Sequence, residues 1–197
     1  MPSGRCLVAC SALLVLSSFF SFACAGDPPD KEMQQAQGAI DAARAAGADA
    51  YARDEFTAAQ DALKKAQEAV SQRDYRLALN YALDSRERAQ NSAREAADQK
   101  ATARTDAQRA LASDTAAINE ARAKLRAAEG PRVPPKAHAA ERRAIAEAET
   151  AVQKARTAFA DGNYLDTLET LKPVKPRLAA AIRELEAPSG PPARRRK

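Results

Sequence analysis

Between Tyr75 and Glu129 the chain contains neither proline nor glycine. The stretch is built mostly from Ala, Arg, Glu, Gln, Asp, Ser and Thr, and no residue in it breaks a helix. It therefore predicts one continuous helix, roughly 80 Å long at ~1.5 Å per residue. Its two ends differ from its middle. Tyr75, Leu77, Leu79, Tyr81 and Leu83 crowd one end, and Leu111, Ile118 and Leu125 recur every seven residues at the other. Between Leu83 and Leu111 the largest apolar side chain is alanine. Such a helix can hold partner helices at both ends and be bare or Ala-packed between them. The expected fold is all-α: two small antiparallel helical bundles sharing one long Ala-rich helix, elongated and coiled-coil-like.

The rest of the 197 residues fits that frame. Most of the 45% hydrophobic fraction is Ala, Trp is absent and aromatics make up only 5%, so no large core is available. High Ala, Glu, Lys, Arg and Gln at helical spacing is the composition of long helices. The net charge of +5 has a local origin, because Arg5 and the terminal run Arg194, Arg195, Arg196 and Lys197 account for it. Without those five, basic residues equal the 26 acidic ones in number. A neutral body with interspersed signs offers no extended basic face, which argues against nucleic acid as a partner.

Residues 1–25 have the layout of a secretory signal. Arg5 lies in a short n-region, the apolar run LVACSALLVLSSFFSF comes next, and Ala23-Cys24-Ala25 closes it with small residues. Two cleavage chemistries fit. Ser21-Phe22-Ala23-Cys24 resembles a bacterial lipobox, departing from it at Ser21, and would give a protein lipid-anchored through Cys24. Ala23-Cys24-Ala25 is also an A-x-A site, which would release a soluble protein starting at Gly26. The lipidated form is the reading adopted, and it makes the membrane a partner through the N-terminal lipid. All three cysteines lie at or before Cys24, so the body after the leader has no disulfide, thiolate metal site or Cys nucleophile.

Past the leader, residues 26–30 form a tether in which Asp30 is placed to N-cap the first helix. Residues 31–96 read as an N-terminal three-helix bundle. Its first helix, with Met33, Ala36, Ile40 and Ala43 on one face, ends at Gly47. A second, capped by Asp54, runs to about Gln72 with Phe56, Ala59, Leu63, Ala66 and Val70 inward. Asp74 and Tyr75 then turn the chain into the long helix, whose continuation is 97–129. Residues 130–135 are a Pro-rich linker. Residues 136–187 read as a helical hairpin packing on the end of the long helix, with Ala144, Ala148, Val152, Ala155 and Phe159 on one side. Asn163 and Tyr164 form its turn, and Pro173 and Pro176 kink or split its second arm. Residues 188–197 read as a disordered basic tail.

Two segments are versions of one unit: AAQDALKKAQEAVSQRDYRLAL from Ala58 and EAETAVQKARTAFADGNYLDTL from Glu147. Aligned, they pair Ala59 with Ala148, Ala66 with Ala155, Asp74 with Asn163 and Tyr75 with Tyr164. Each is a helix, a turn and a tyrosine that starts the next helix. These turns resemble the hairpin turn of a tetratricopeptide repeat, but that family repeats about every 34 residues, and here the copies are far more widely spaced. A closer resemblance is to a family of bacterial envelope lipoproteins classed only as a domain of unknown function. It rests on AQGAIDAA from Ala36, GADAYA from Gly47, AAQDALKKA from Ala58 and DYRLA from Asp74, and covers roughly Cys24 to Ala97. Some relatives continue into an OmpA-type peptidoglycan-binding domain. The resemblance implies an envelope protein and brings no catalytic residues with it.

No metalloprotease, phosphate-loop or nucleophile-elbow motif occurs in the sequence. His138, the only histidine, reads as an exposed residue near a helix start, and Asp84/Arg88 and Glu120/Lys124 read as surface pairs at i,i+4. The expectation is a protein with no catalytic residues, metal or cofactor. It would be exported to the periplasm and anchored to the outer membrane of a Gram-negative-type bacterium as a spacer or scaffold. A soluble periplasmic adaptor or chaperone-like peptide-binding module is the alternative. Expected partners are an envelope protein or cell-wall polymer, or a second copy through the Ala-rich helix. The Arg194-Arg195-Arg196-Lys197 run is the candidate contact with an anionic surface, gaining ~1 kcal/mol per basic residue beside an anionic membrane.

Overall fold

The computed structural model describes residues 27–130, residue 134 and residues 136–187. The leader, most of the Pro-rich linker and the basic tail lie outside the described residues. All secondary structure among the described residues is helical: α1 (Asp30–Ala45), α2 (Ala48–Tyr51), α3 (Arg53–Ser71), α4 (Tyr75–Ala128), α5 (Ala139–Ala160), α6 (Tyr164–Leu171) and α7 (Val174–Glu186). The chain divides into two compact units between Ala97 and Asp98. The 54-residue α4 contributes its first part to unit one and the remainder to unit two.

Unit one is held together by small residues. Along α4 the buried positions are Ala78, Ala82, Ser85, Ala89, Ser92 and Ala96, alternating at spacings of four and three. That is the 3.5-residue period of a helix that keeps one seam against its neighbours. The partner positions on α1 and α3 are Ala36, Ile40, Ala43, Phe56, Ala59 and Leu63. Two leucines of α4 stay outside the seam, since Leu77 and Leu83 remain 36% and 38% exposed. Buried Ser85 donates its hydroxyl to the Ala59 carbonyl at 2.8 Å, a cross-helix bond that only close backbone approach permits. Around the seam, Arg86 reaches Gln35 at 2.7 Å, and Arg88 joins Asp84 at 3.0 Å and Glu55 at 3.4 Å. Exposed pairs of this kind contribute ~0–1 kcal/mol each.

Between α1 and α3 the chain makes an extra turn of helix, α2, not foreseen as a helix. Gly47 permits it by adopting φ +88°, and Tyr51 packs back on the unit-one core. Asp30 and Asp54 are not the N-caps expected of them. Pro29 and Ala52 hold those positions, and both carboxylates sit within the first turn, where they favour the positive helix end.

Unit two packs Ile118 and Ala121 of α4 with Ile145, Ala148, Val152 and Ala155 of α5, Leu171 of α6, and Val174 and Leu178 of α7. Leu111 and Leu125 are half-buried against this core. On α5 the inward face includes Ile145, whereas Ala144 and Phe159 are only partly buried. Pro173 separates α6 from α7. Pro176 lies in the first turn of α7, where its missing N–H has no intrahelical partner to lose.

The two related segments end in the same turn. Arg73 N–H donates to Val70 O and Asp74 N–H to Ala69 O, both at 2.9 Å. Gly162 N–H donates to Phe159 O at 3.1 Å and Asn163 N–H to Ala158 O at 2.9 Å. Both are Schellman closures with a left-handed residue just past the helix. That residue is Gly162 at φ +79° in one and Arg73 at φ +60° in the other.

Candidate functional site

The residues singled out in the sequence fall into two groups. Cys24 and the Arg194-Arg195-Arg196-Lys197 run lie outside the described residues. The four turn residues sit at the matching hairpin ends. Asp74 Oδ1 accepts the Leu77 N–H at 3.0 Å, at the start of α4. Asn163 occupies the position before α6 without a side-chain capping bond. Tyr164 stacks at a tilt on Phe159, with ring centroids 5.2 Å apart, while Tyr75 is half-buried. The unit-one counterpart of Phe159 is Val70, so the hairpin end closed by two rings in unit two has one ring in unit one.

Other singled-out side chains behave differently from the sequence reading. His138 is partly buried rather than exposed, with Nδ1 4.0 Å from Glu141 Oε2. The Glu120/Lys124 pair gives way to a cross-helix one, because Lys124 bonds Glu186 of α7. That bond is the main reason the Lys124 ammonium holds its proton more tightly than usual. The Asp84/Arg88 pair forms, and the hydrogen bond that Arg88 donates to Asp84, reinforced by Glu55, does the same for the Arg88 guanidinium.

The feature with the form of a binding site was not singled out in the sequence. Unit two has an open groove of about 630 Å³ where α4 faces α6 and the start of α7. Pockets of ~300–1,000 Å³ with apolar walls and a few polar groups are the usual form of a ligand site. Its apolar lining is Ala110 of α4 and Leu165, Leu168 and Leu171 of α6. Leu165 is 43% exposed, whereas Leu171 reaches into the unit-two core.

Asp114 of α4 lies in the groove wall and is only 2% exposed. Burial pushes its carboxyl above the usual carboxylate range, and the Lys175 ammonium opposes that shift. Asp166, Glu169 and Lys172 complete the polar rim, with Lys172 Nζ 3.6 Å from Glu169. A second groove, about 480 Å³ between α4 and α5, is more polar. Its cations are already engaged, since Arg122 pairs with Glu149 at 2.7 Å and Arg156 bonds Thr115 at 3.2 Å. The leucine-walled groove is therefore the better candidate.

Asp114 escaped notice because its sequence neighbourhood is ordinary. It falls in ALASDTAAINEA, where a lone aspartate reads as one more surface charge. One signal could have found it: Ala107, Asp114 and Ala121 are seven residues apart, so Asp114 shares a face with two fully buried alanines.

No helix among the described residues is long and apolar enough to cross a membrane. Residues 31–112 match a domain of unknown function, DUF4398, so α1, α2, α3 and the first part of α4 are similar to that domain. No curated protein and no solved structure matches the chain.

Proposed function

We propose that this chain is a non-enzymatic spacer or scaffold of a bacterial cell envelope. It is exported by its leader, held at a membrane through an acylated Cys24, and brings its basic tail to an anionic surface. The observation that carries the reading is the leader: a charged n-region, an apolar run and a small-residue box ending at Cys24, before a body free of cysteine. The helical body agrees with it. Seams of Ala and Ser join helices closely while enclosing little volume, which suits a protein that works by contact. The match to a domain of unknown function is compatible with the resemblance to envelope lipoproteins. The test is metabolic labelling with a palmitate analogue in a bacterial host. The wild type should carry the label and fractionate with membranes, and Cys24→Ala should do neither. An unlabelled wild type overturns the anchor.

The leucine-walled groove favours a second reading, a soluble periplasmic adaptor or chaperone-like binder. In that case the unlabelled protein leaves cells with the periplasmic fraction and suppresses light scattering by a heat-unfolded client. Leu165→Asp should abolish that suppression, because it places a charge on the most exposed apolar wall. Equal suppression by the variant removes this reading.

A further inference from the structure

The groove of unit two has a chemical character that narrows its ligand. On the face of α4 that meets α5, α6 and α7, the packed residues are Ala110, Leu111, Ala117, Ile118, Ala121 and Leu125. Asp114 is the exception. A carboxylate taken out of water costs free energy unless a charge or hydrogen-bond donors meet it. Its cationic neighbour is Lys175, an exposed side chain for which water competes. The rim carries three carboxylates, Asp114, Asp166 and Glu169, against Lys172 and Lys175. Lys172 is engaged by Glu169 at 3.6 Å, which leaves Lys175 as the second cation of a rim that also holds Asp114 and Asp166.

Three ligand classes can be compared in such a groove. An anionic amphiphile would bring a like charge to Asp114. A neutral apolar molecule would strip water from the carboxylate and give nothing back. A cation on an aliphatic stem satisfies both the excess charge and the leucine wall. We propose that this groove binds a linear aliphatic amine, its ammonium on the Asp114 carboxylate and its methylenes along Leu165, Leu168 and Leu171. The assignment is independent of whether Cys24 carries lipid, so failure of the labelling experiment leaves it standing.

The experiment is titration calorimetry of the full chain at neutral pH with n-hexylamine, with hexanoate as the charge-reversed probe. Wild type should bind the amine saturably at one site and ignore hexanoate. Asp114→Asn should weaken amine binding at least tenfold. Lys175→Ala should strengthen it several-fold, because a like charge that repels the ammonium is gone from the groove. Equal amine affinity in wild type and Asp114→Asn overturns the proposal, as does preference for hexanoate. Should Asp114→Asn lose its helical circular dichroism, the Lys175→Ala arm decides, and unchanged or weaker amine binding there overturns the assignment.

Discussion

The two Schellman turns differ at one residue in a way that permits a quantitative test. Arg73 is the one positive-φ residue other than glycine among the described residues, at φ +60°. A side chain with a β-carbon in this conformation costs roughly 1–2 kcal/mol. Its counterpart Gly162 holds the same place at φ +79° without that penalty. In Arg73→Gly the penalty disappears, while the extra freedom of glycine in the unfolded chain returns roughly 0.5–1 kcal/mol against the fold. The side chain of Arg73 is exposed, so little packing is lost. The net is a gain of about 0.5–1 kcal/mol, or about 1–4 °C in Tm for a chain of this length.

The reciprocal change, Gly162→Ala, isolates the backbone contribution because a β-carbon there meets nothing within 4 Å. It should lower Tm by about 1–4 °C, the same net of about 0.5–1 kcal/mol with the opposite sign. Arg73→Ala is the control, retaining the left-handed penalty and leaving Tm near the wild-type value. Thermal unfolding followed by circular dichroism at 222 nm reads all three. A Tm lowered by Arg73→Gly, or raised by Gly162→Ala, would refute the argument that a β-carbon strains this position of the turn.

The same hairpins predict unequal caps: Asp74→Ala loses the bond to the Leu77 N–H and should cost ~1 kcal/mol, whereas Asn163→Ala, with no capping bond to lose, should cost a few tenths. Denaturant midpoints at unchanged m-value separate the two. Ala89→Leu forces a large side chain into a fully buried seam position and should destabilise by ~1–3 kcal/mol, while Leu83→Ala on the exposed face should stay within ~0.5 kcal/mol of wild type, both read by chemical denaturation. The raised carboxyl of Asp114 means the folded state holds its proton where the unfolded state has released it. Stability contributed by this group should therefore fall as pH rises from the unfolded value of 3.8 through the higher folded one, and Asp114→Asn should remove that slope from a series of urea midpoints.

How much of this was legible in the sequence depends on what each residue type can signal. The all-α fold and the long helix were legible because an uninterrupted run without proline or glycine has few alternatives to helix. Proline also marked the break between α6 and α7, since its missing donor acts locally. The working face of α4 was harder to read. Large apolar residues usually report the buried side, yet Leu77 and Leu83 stay half in water while Ala78, Ala82, Ser85 and Ala89 carry the seam. Alanine is both the best helix former and a small apolar surface, so its placement marks helix everywhere and burial nowhere in particular.

Asp114 was illegible for a related reason. Whether a lone carboxylate on a helix is wet or buried depends on which helices cover that face, and the covering helices α6 and α7 are some fifty residues further along the chain. Residues in a seven-residue register with known seam alanines are thus the ones to inspect in Ala-rich helices. A charge found there has a cost that an ordinary surface charge does not. Asp114→Leu consequently makes a sharp case: it should raise the denaturant midpoint by removing a desolvated carboxylate from an apolar wall. If Asp114→Leu instead lowers it, the Lys175 interaction outweighs desolvation, and the carboxylate is structural rather than kept for a ligand.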